Sequence, residues 1–323
     1  MTLPPERALI VGAGPIGIAC AISAKRRGLD PLVIDAGAVA DAIVRYPVGM
    51  GFFTTPELLE IGGHPFTCGG PKPTREEALK YFRGVVRTEG IRVAPYTRLD
   101  TIRQTPAGLD AIVTRRDGTA VISAERIVLA TGYYDNPNML GVPGETRPHV
   151  SHFFDEAHRS YGLDVVVIGG KNSSIEAALE LFRAGAHVTL LYRKTELPPS
   201  VKYWLRPDIE NRIKAGEIAA RLGAEVVRID PDHVVIRRHD GVEERISAVR
   251  VYALTGYHPD FALFDRIGID SDPATRRLIV DPETQETSVR GVYVAGSVMA
   301  GYRTGDIFIE NGRFDGEKIF GRG

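Results

Sequence analysis

Two residue types are nearly missing from this chain: of 323 residues, two are cysteine (Cys20 and Cys68) and one is tryptophan. No CxxC occurs, which excludes an internal redox dithiol, a disulfide framework and a cysteine-rich zinc site. Such sparse thiols fit a reducing compartment, and the expected location is the cytoplasm. A surplus of charge is also missing, since 40 Lys+Arg face 41 Asp+Glu for a net charge of −1. There is no basic excess to displace counterions from a nucleic acid and no polybasic run to hold an anionic membrane, so neither is expected as a partner. Long apolar runs are scarce as well. The uncharged stretch Ala8 to Ala24 is broken by Gly12-Ala13-Gly14-Pro15-Ile16-Gly17, which suits neither a membrane span nor a signal peptide. What remains is ordinary for a globular protein of two domains, with 43% hydrophobic and 25% charged residues.

The most informative feature is a repeat at long range. Leu9-Ile10-Val11 reads as a buried parallel strand, followed by the glycine turn Gly12-Ala13-Gly14-Pro15-Ile16-Gly17 and a helix. Gly28 closes that helix, and Pro31-Leu32-Val33-Ile34-Asp35 is a second strand that ends on an acid. The pattern returns as Val165-Val166-Val167-Ile168, then Gly169-Gly170-Lys171-Asn172-Ser173-Ser174, a helix through Phe182, Gly185, and Val188 to Arg193. In both copies the helix-closing glycine lies 16 residues after the first glycine of the turn. Two βαβ units of one size predict two dinucleotide-binding domains.

The spacing has a physical basis. Glycines in such a turn permit a tight reversal, close approach of a pyrophosphate, and close helix–strand packing, while the phosphates sit on free N–H groups at the helix start. An acid at the end of the second strand, here Asp35, accepts hydrogen bonds from ribose hydroxyls. In the second copy Tyr192 stands where the first has Asp35, followed by Arg193 and Lys194. An acid there would repel a 2′-phosphate, whereas two cations attract it and arginine can bind it bidentately. The second nucleotide is therefore expected to be NADP(H), with Gly169, Gly170, Lys171, Asn172, Ser173, Arg193 and Lys194 as its site.

A second repeated signal marks the junctions. Ile127-Val128-Leu129-Ala130-Thr131-Gly132-Tyr133 and Val251-Tyr252-Ala253-Leu254-Thr255-Gly256-Tyr257 both end an apolar strand on Thr-Gly-Tyr, with turn-rich segments beyond. The expected architecture is α/β, with two Rossmann-like, three-layer dinucleotide-binding domains. The NADP domain (134–255) is inserted in a discontinuous domain (1–133 and 256–323). Small antiparallel sheets are expected between Thr97 and Glu125 and between Glu225 and Arg250.

These residues resemble a known family. Two nucleotide units, Thr-Gly junctions and Gly291-Val292-Tyr293-Val294-Ala295-Gly296 are similar to the low-molecular-weight thioredoxin reductase-like flavoproteins. Longer strings narrow the resemblance to the bacillithiol disulfide reductase branch: Phe52 to Gly62, Ala130 to Asp135, Val167 to Ser173, and Ile307 to Phe314. The resemblance implies that the first unit binds FAD through Gly12, Gly14, Pro15, Ile16, Gly17, Asp35, Ala130, Thr131, Gly132, Gly296, Ser297, Gly305, Asp306 and Ile307, and the second binds NADPH. Gly301 to Asp306 precedes an apolar-periodic helix through Phe320, and the resemblance implies that the positive start of this helix abuts the flavin and that the protein forms a homo-oligomer. No catalytic acid or base is assigned, because the flavin carries the hydride chemistry.

The chain departs from the family at three places. Pro148–Tyr161 has no redox CxxC, Ile16 stands where the branch usually has a cysteine, and Ser297 stands where thioredoxin reductases have an aspartate. Cys20 lies on the same helix face as Ile16 and reads as a core residue. Cys68 reads as an incidental thiol in a flexible surface loop. His149, His152 and His158 lack an acid or cysteine at ligand spacing, and no metal is expected.

The leading expectation is an NADPH-dependent flavin oxidoreductase passing electrons to a small-molecule disulfide or a small redox protein. The alternatives are a ferredoxin(flavodoxin)–NADP reductase of thioredoxin reductase-like type and a non-catalytic nucleotide-bound redox sensor. The missing flavin-side cysteine favours the alternatives; the long branch-specific strings favour the first. Without a turn thiol, reduction of bacillithiol disulfide is expected to be weak or absent.

Overall fold

The computed structural model describes residues 6–321. The chain opens with β1 (Leu9–Val11), α1 (Pro15–Arg26), β2 (Leu32–Ile34), the single turns α2 (Asp41–Val44) and α3 (Pro56–Leu59), and α4 (Arg75–Thr88). Then come β3 (Arg92–Ala94), β4 (Arg98–Thr105), β5 (Gly108–Arg115), β6 (Gly118–Ala124) and β7 (Ile127–Leu129). A second set follows: β8 (Val150–Ser151), β9 (Asp164–Ile168), α5 (Asn172–Arg183), β10 (His187–Tyr192), α6 (Arg206–Lys214) and β11 (Ala219–Leu222). It finishes with β12 (Ala224–Ile229), β13 (His233–Arg238), β14 (Glu243–Ser247) and β15 (Arg250–Ala253). The chain ends in α7 (Phe261–Ile267), β16 (Val292–Val294), α8 (Ile309–Gly312) and α9 (Asp315–Phe320).

These elements form two compact units. Among the described residues, one holds 6–45, 49–136 and 257–321; the other holds 137–256 together with 46–48. The short piece Tyr46–Val48 is tied to the second unit by the Val48 N–H, which donates to the Asp155 carbonyl at 2.9 Å.

In the first unit a five-stranded parallel sheet runs β16-β7-β1-β2-β3. Alternation along each strand assigns its two faces. Leu9, Val11, Ile34, Ile127, Leu129, Val292 and Val294 pack with Leu99, Ile102, Val113 and Ile122 of the antiparallel meander β4-β5-β6 and with Leu263 and Phe264 of α7. Ile10, Val33 and Val128 point the other way and are fully buried, with α1 on that side. The helix is rich in small residues, and α9 crosses it closely: a Cβ on Gly316 would lie 2.8 Å from the Cys20 Cα. Helix α4 begins at a capping box, in which the Thr74 side chain accepts from the Glu77 N–H and the Glu77 carboxylate accepts from the Thr74 N–H.

The second unit repeats this construction. Its parallel sheet runs β11-β10-β9-β15-β8. Val165, Val167, Leu190 and Leu254 pack against Ile175, Ala178, Leu179 and Ile209 from α5 and α6. Val166, Ile168, Leu191 and Val251 pack against Ile229, Val234, Ile236 and Ile246 of the meander β12-β13-β14. Each unit is thus helix on parallel sheet on antiparallel sheet, the three layers expected from the pattern.

One expected element is different. The apolar-periodic stretch after Asp306 through Phe320 is not one helix but two short ones, α8 and α9, broken at Arg313 and Phe314. The break lets the Arg313 guanidinium turn back to donate to the Glu57 and Glu60 carbonyls at the end of α3, and lets Asp315 enter the core. With four residues, α8 has too few aligned peptides for a substantial dipole, and that part of the expectation fails. No described helix is long and apolar enough to cross a membrane.

Candidate functional site

In a parallel sheet the turns that follow the strands all leave one edge, and the crevice there is where ligands bind. In the first unit the ends of β16, β7, β1 and β2 bring together Gly296 and Ser297, Ala130 to Gly132, Gly12 to Gly17, and Asp35. The Gly12 N–H donates to the Ile34 carbonyl at 2.7 Å, and the Ala130 N–H donates to the Val11 carbonyl at 2.8 Å. A Cβ on Gly12 would lie 2.3 Å from the Ala130 carbonyl oxygen, so only glycine fits between the two strand ends. Gly14, by contrast, faces open space, and it is the N-cap of α1, with Pro15 next. No side chain caps that helix and no acid sits in its first turn, which leaves its N–H groups available to phosphate.

Asp35 binds the turn from the neighbouring strand. One carboxylate oxygen accepts the Ala13 N–H at 2.6 Å and the other accepts the Gly37 N–H at 2.7 Å. Burial raises its pKa above the usual carboxylate range, and the two N–H groups only partly offset this. Each oxygen keeps a second lone pair for a ribose hydroxyl. The Thr131 hydroxyl is buried with no hydrogen-bond partner among the described residues, a polar atom aimed at something the protein does not itself supply.

Ile16 has a packing role that the sequence pattern does not reveal. Gly296 and Gly312 both lie against it, since a Cβ on either would come within about 3 Å of its side chain (3.0 and 3.1 Å). It therefore seals the turn against the Gly296 loop and against α8, with Ile307 beside Gly312. Asp306 is held by Arg303 at 3.2 Å and its carbonyl accepts from the Asn311 side chain, which fixes the Gly305–Ile307 approach to α8. The Gly296 N–H donates to Asp315 at 2.7 Å, and the other Asp315 oxygen accepts from Gln285 at 2.8 Å. Asp315 is buried, and its pKa is raised by that burial. It escaped the sequence reading because an acid within an apolar-periodic stretch looks like a solvent-facing helix residue.

The second unit reproduces the strand-end backbone bonds and differs in its side chains. The Gly169 N–H donates to the Leu191 carbonyl at 2.9 Å, and the Leu254 N–H donates to the Ile168 carbonyl at 2.8 Å. A Cβ on Gly169 would lie 2.5 Å from the Leu254 carbonyl oxygen. Ser174 takes the place of the last glycine, buried, its hydroxyl donating to the Lys171 carbonyl at 2.8 Å. The Tyr192 ring lies flat against Gly170 and fills the space where the first unit has an acid. Lys171 caps α5 without a side-chain bond, and no acid lies in that first turn. Asn172 and Ser173 begin the helix.

The cations stand out by what they lack. Arg183, Arg206, Arg212, Arg221 and Arg237 all sit in ion pairs. Lys171, Arg193 and Lys194 are exposed at the ligand edge and form no ion pair among the described residues. Farther along α5, the Glu176 carboxyl is pushed up to about 7, first by burial and then by Glu180, with Arg183 opposing.

The two thiols lie in different surroundings. Cys20 is fully buried in α1, and burial with the nearby Asp315 charge pushes its thiol pKa far up. Cys68 lies in a loop that is better fixed than expected. Its Sγ–H donates to the Gly70 carbonyl, the Gly69 N–H donates to Glu77, and the Tyr81 hydroxyl donates to the His64 carbonyl. His149, His152 and His158 join no group of three metal-ligating side chains among the described residues.

Comparisons with known proteins bear on the family and the fold. The model of the family described as pyridine nucleotide-disulphide oxidoreductase matches residues 9–296. The bacilliredoxin reductase Bdr of Bacillus subtilis (strain 168) is 44% identical over 316 residues, 97% of this chain and 96% of the relative. The solved bacillithiol disulfide reductase Bdr (YpdA) of Bacillus cereus superposes with a TM-score of 0.94 at 42% identity, covering 98% of each chain. Its counterpart from Staphylococcus aureus gives a TM-score of 0.92 at 36% identity, with the same coverage. The glycine cradles, the buried unpartnered Thr131 hydroxyl and the unpaired cations fit FAD and NADPH, and the chain belongs to the pyridine nucleotide-disulphide oxidoreductase family as a thioredoxin reductase-like, NADPH-dependent flavin enzyme.

Proposed function

We propose that the first unit holds FAD, the second holds NADPH, and the acceptor is a small-molecule disulfide of the bacillithiol class. Bound FAD would supply the two-electron transfer chemistry that links the nicotinamide to the acceptor. The reaction balances as NADPH + H⁺ + R–S–S–R giving NADP⁺ + 2 R–SH. The observation that carries this reading is the duplicated strand-end turn, with an acid beside one copy and unpaired cations beside the other.

In the first unit, the start of α1 would carry the pyrophosphate and Asp35 the ribose, while Ala130, Thr131, Gly132, Gly296, Ser297 and the Gly305-Asp306-Ile307 segment would border the flavin. In the second, Gly169, Gly170, Lys171, Asn172 and Ser173 would cradle the pyrophosphate, and Arg193 and Lys194 would take the 2′-phosphate. With Ile16 in the turn and Cys20 buried, this chain supplies no thiol relay, and the disulfide would be reduced without a covalent enzyme adduct. The protein would act in the cytoplasm as a homo-oligomer.

Steady-state NADPH oxidation tests this against bacillithiol disulfide, ferredoxin and flavodoxin. The expected outcome is a disulfide rate above the other two, modest in absolute terms, and unchanged in Cys20→Ser and Cys68→Ser. Faster turnover with ferredoxin or flavodoxin would replace the acceptor assignment, and no turnover with any acceptor would favour a redox sensor.

A further inference from the structure

We propose that Lys202, Tyr203 and Trp204 form a further nucleotide-contacting segment of the second unit, with Lys202 supplying a cation to the pyrophosphate of NADPH. The inference rests on the assignment of this unit to NADPH. It starts from how the segment after β10 is tied down. That segment leaves the ligand edge directly after Arg193 and Lys194, and its first turn is fixed where the Gly223 N–H donates to the Lys194 carbonyl at 2.9 Å. It then returns to the same edge. The Lys202 N–H donates to the Asn172 side-chain oxygen at 2.9 Å, and Asn172 is the first residue of α5.

Between these anchors the apolar residues point inward: Leu197, Val201 and Leu205 are buried in the core beneath α5. The residues between Val201 and Leu205 do the opposite. Tyr203 is 82% exposed and Trp204 is 37% exposed, although both rings are large and apolar. They meet edge to face, with centroids 4.9 Å apart, and the Lys202 ammonium lies 5.7 Å from the Trp204 ring centroid. A cation and two aromatic faces are therefore held beside the uncapped start of α5, on a loop whose backbone is locked at both ends. That is the equipment for a phosphate joined to planar rings.

Position divides the labour among the cations. Arg193 and Lys194 stand at the end of β10, where a 2′-phosphate distinguishes NADPH from NADH. Lys202 stands at the start of α5, where the pyrophosphate is common to both. The two sites therefore predict different selectivity effects.

Trp204 is the only tryptophan of the chain, so its fluorescence reports on this loop, with the flavin absorbance difference as an independent signal. The FAD-loaded protein is titrated with NADP⁺ and with NAD⁺. Lys202→Gln is expected to raise both Kd values by a common factor of about tenfold, the scale of one charge-assisted hydrogen bond. Arg193→Ala is expected to raise only that for NADP⁺. The Lys202 variant keeps the backbone N–H that anchors the loop, so its fold is not threatened. The inference is overturned if Lys202→Gln leaves both constants within twofold, or weakens NADP⁺ alone, while Arg193→Ala still weakens NADP⁺. If the unmodified protein binds no NADP⁺, the assignment of the second unit falls instead.

Discussion

Glu176 offers a stability test that is independent of turnover. Its carboxyl sits on the second turn of α5 with its pKa raised from 4.5 to about 7 by burial and by Glu180. An acid whose pKa is higher in the folded state keeps its proton where the unfolded chain has lost it. Between pH 4.5 and about 7 the folded state binds more protons, so stability falls as pH rises through that window. The full gap is worth about 3 kcal/mol at roughly 1.36 kcal/mol per tenfold change in proton affinity. Because Glu176 is only partly buried, solvent screens part of this, and about 2 kcal/mol is the expected size. Glu176→Gln removes the charge and keeps the shape. We expect the variant to be more stable than the unmodified protein by about 2 kcal/mol at pH 8, and by almost nothing at about pH 4, below the unfolded value of 4.5. Denaturant unfolding followed by Trp204 fluorescence measures this, since the sole tryptophan lies in the same unit as Glu176. Parallel pH profiles for the two proteins would refute the argument, because the difference between them must open with pH.

Three further outcomes follow from the site. Arg193→Ala should remove most of a preference for NADPH over NADH of at least about tenfold in kcat/KM, chiefly through KM, and equal use of NADH by the unmodified protein would refute the assignment. Cys20→Ser should leave flavin reduction by NADPH nearly unchanged while destabilising the protein by about 1–3 kcal/mol, because a hydroxyl is left in an apolar, fully buried position; loss of turnover in the folded variant would identify Cys20 as a redox thiol. Asp315→Ala leaves the Gly296 N–H and the Gln285 amide without their buried partner, so unfolding should ease by about 2–4 kcal/mol and bound FAD should fall, both readable from one denaturation series followed at the flavin absorbance.

The parts of this molecule that could be read in advance are those whose constraints are local. The turn Gly12 to Gly17 is dictated by strand and helix ends a few residues apart, and its spacing recurs at Gly169. Period-two runs placed both meanders because each strand buries one face. What stayed hidden depends on partners far away in sequence. Ile16 touches Gly296 and Gly312, Asp315 holds Gly296 from a helix that periodicity had fused with α8, and Lys202 meets Asn172 across thirty residues. In each case a single residue's role is set by a contact that no window of neighbouring residues contains. Cys68 shows the converse, since a glycine-rich loop that looks pliable is pinned by Glu77 and Tyr81 of α4.

The narrow passage at Gly12 and again at Gly169 has a consequence for the life of the protein without its cofactors. In both places the nearest obstacle to a larger residue is a backbone carbonyl at the end of the neighbouring strand, that of Ala130 or Leu254. The geometry that receives a pyrophosphate is thus a by-product of closing the sheet, complete as soon as β1 meets β7 or β9 meets β15. The expected consequence is that protein stripped of flavin keeps its fold and takes up added FAD without prior unfolding, which flavin absorbance and circular dichroism before and after stripping would show.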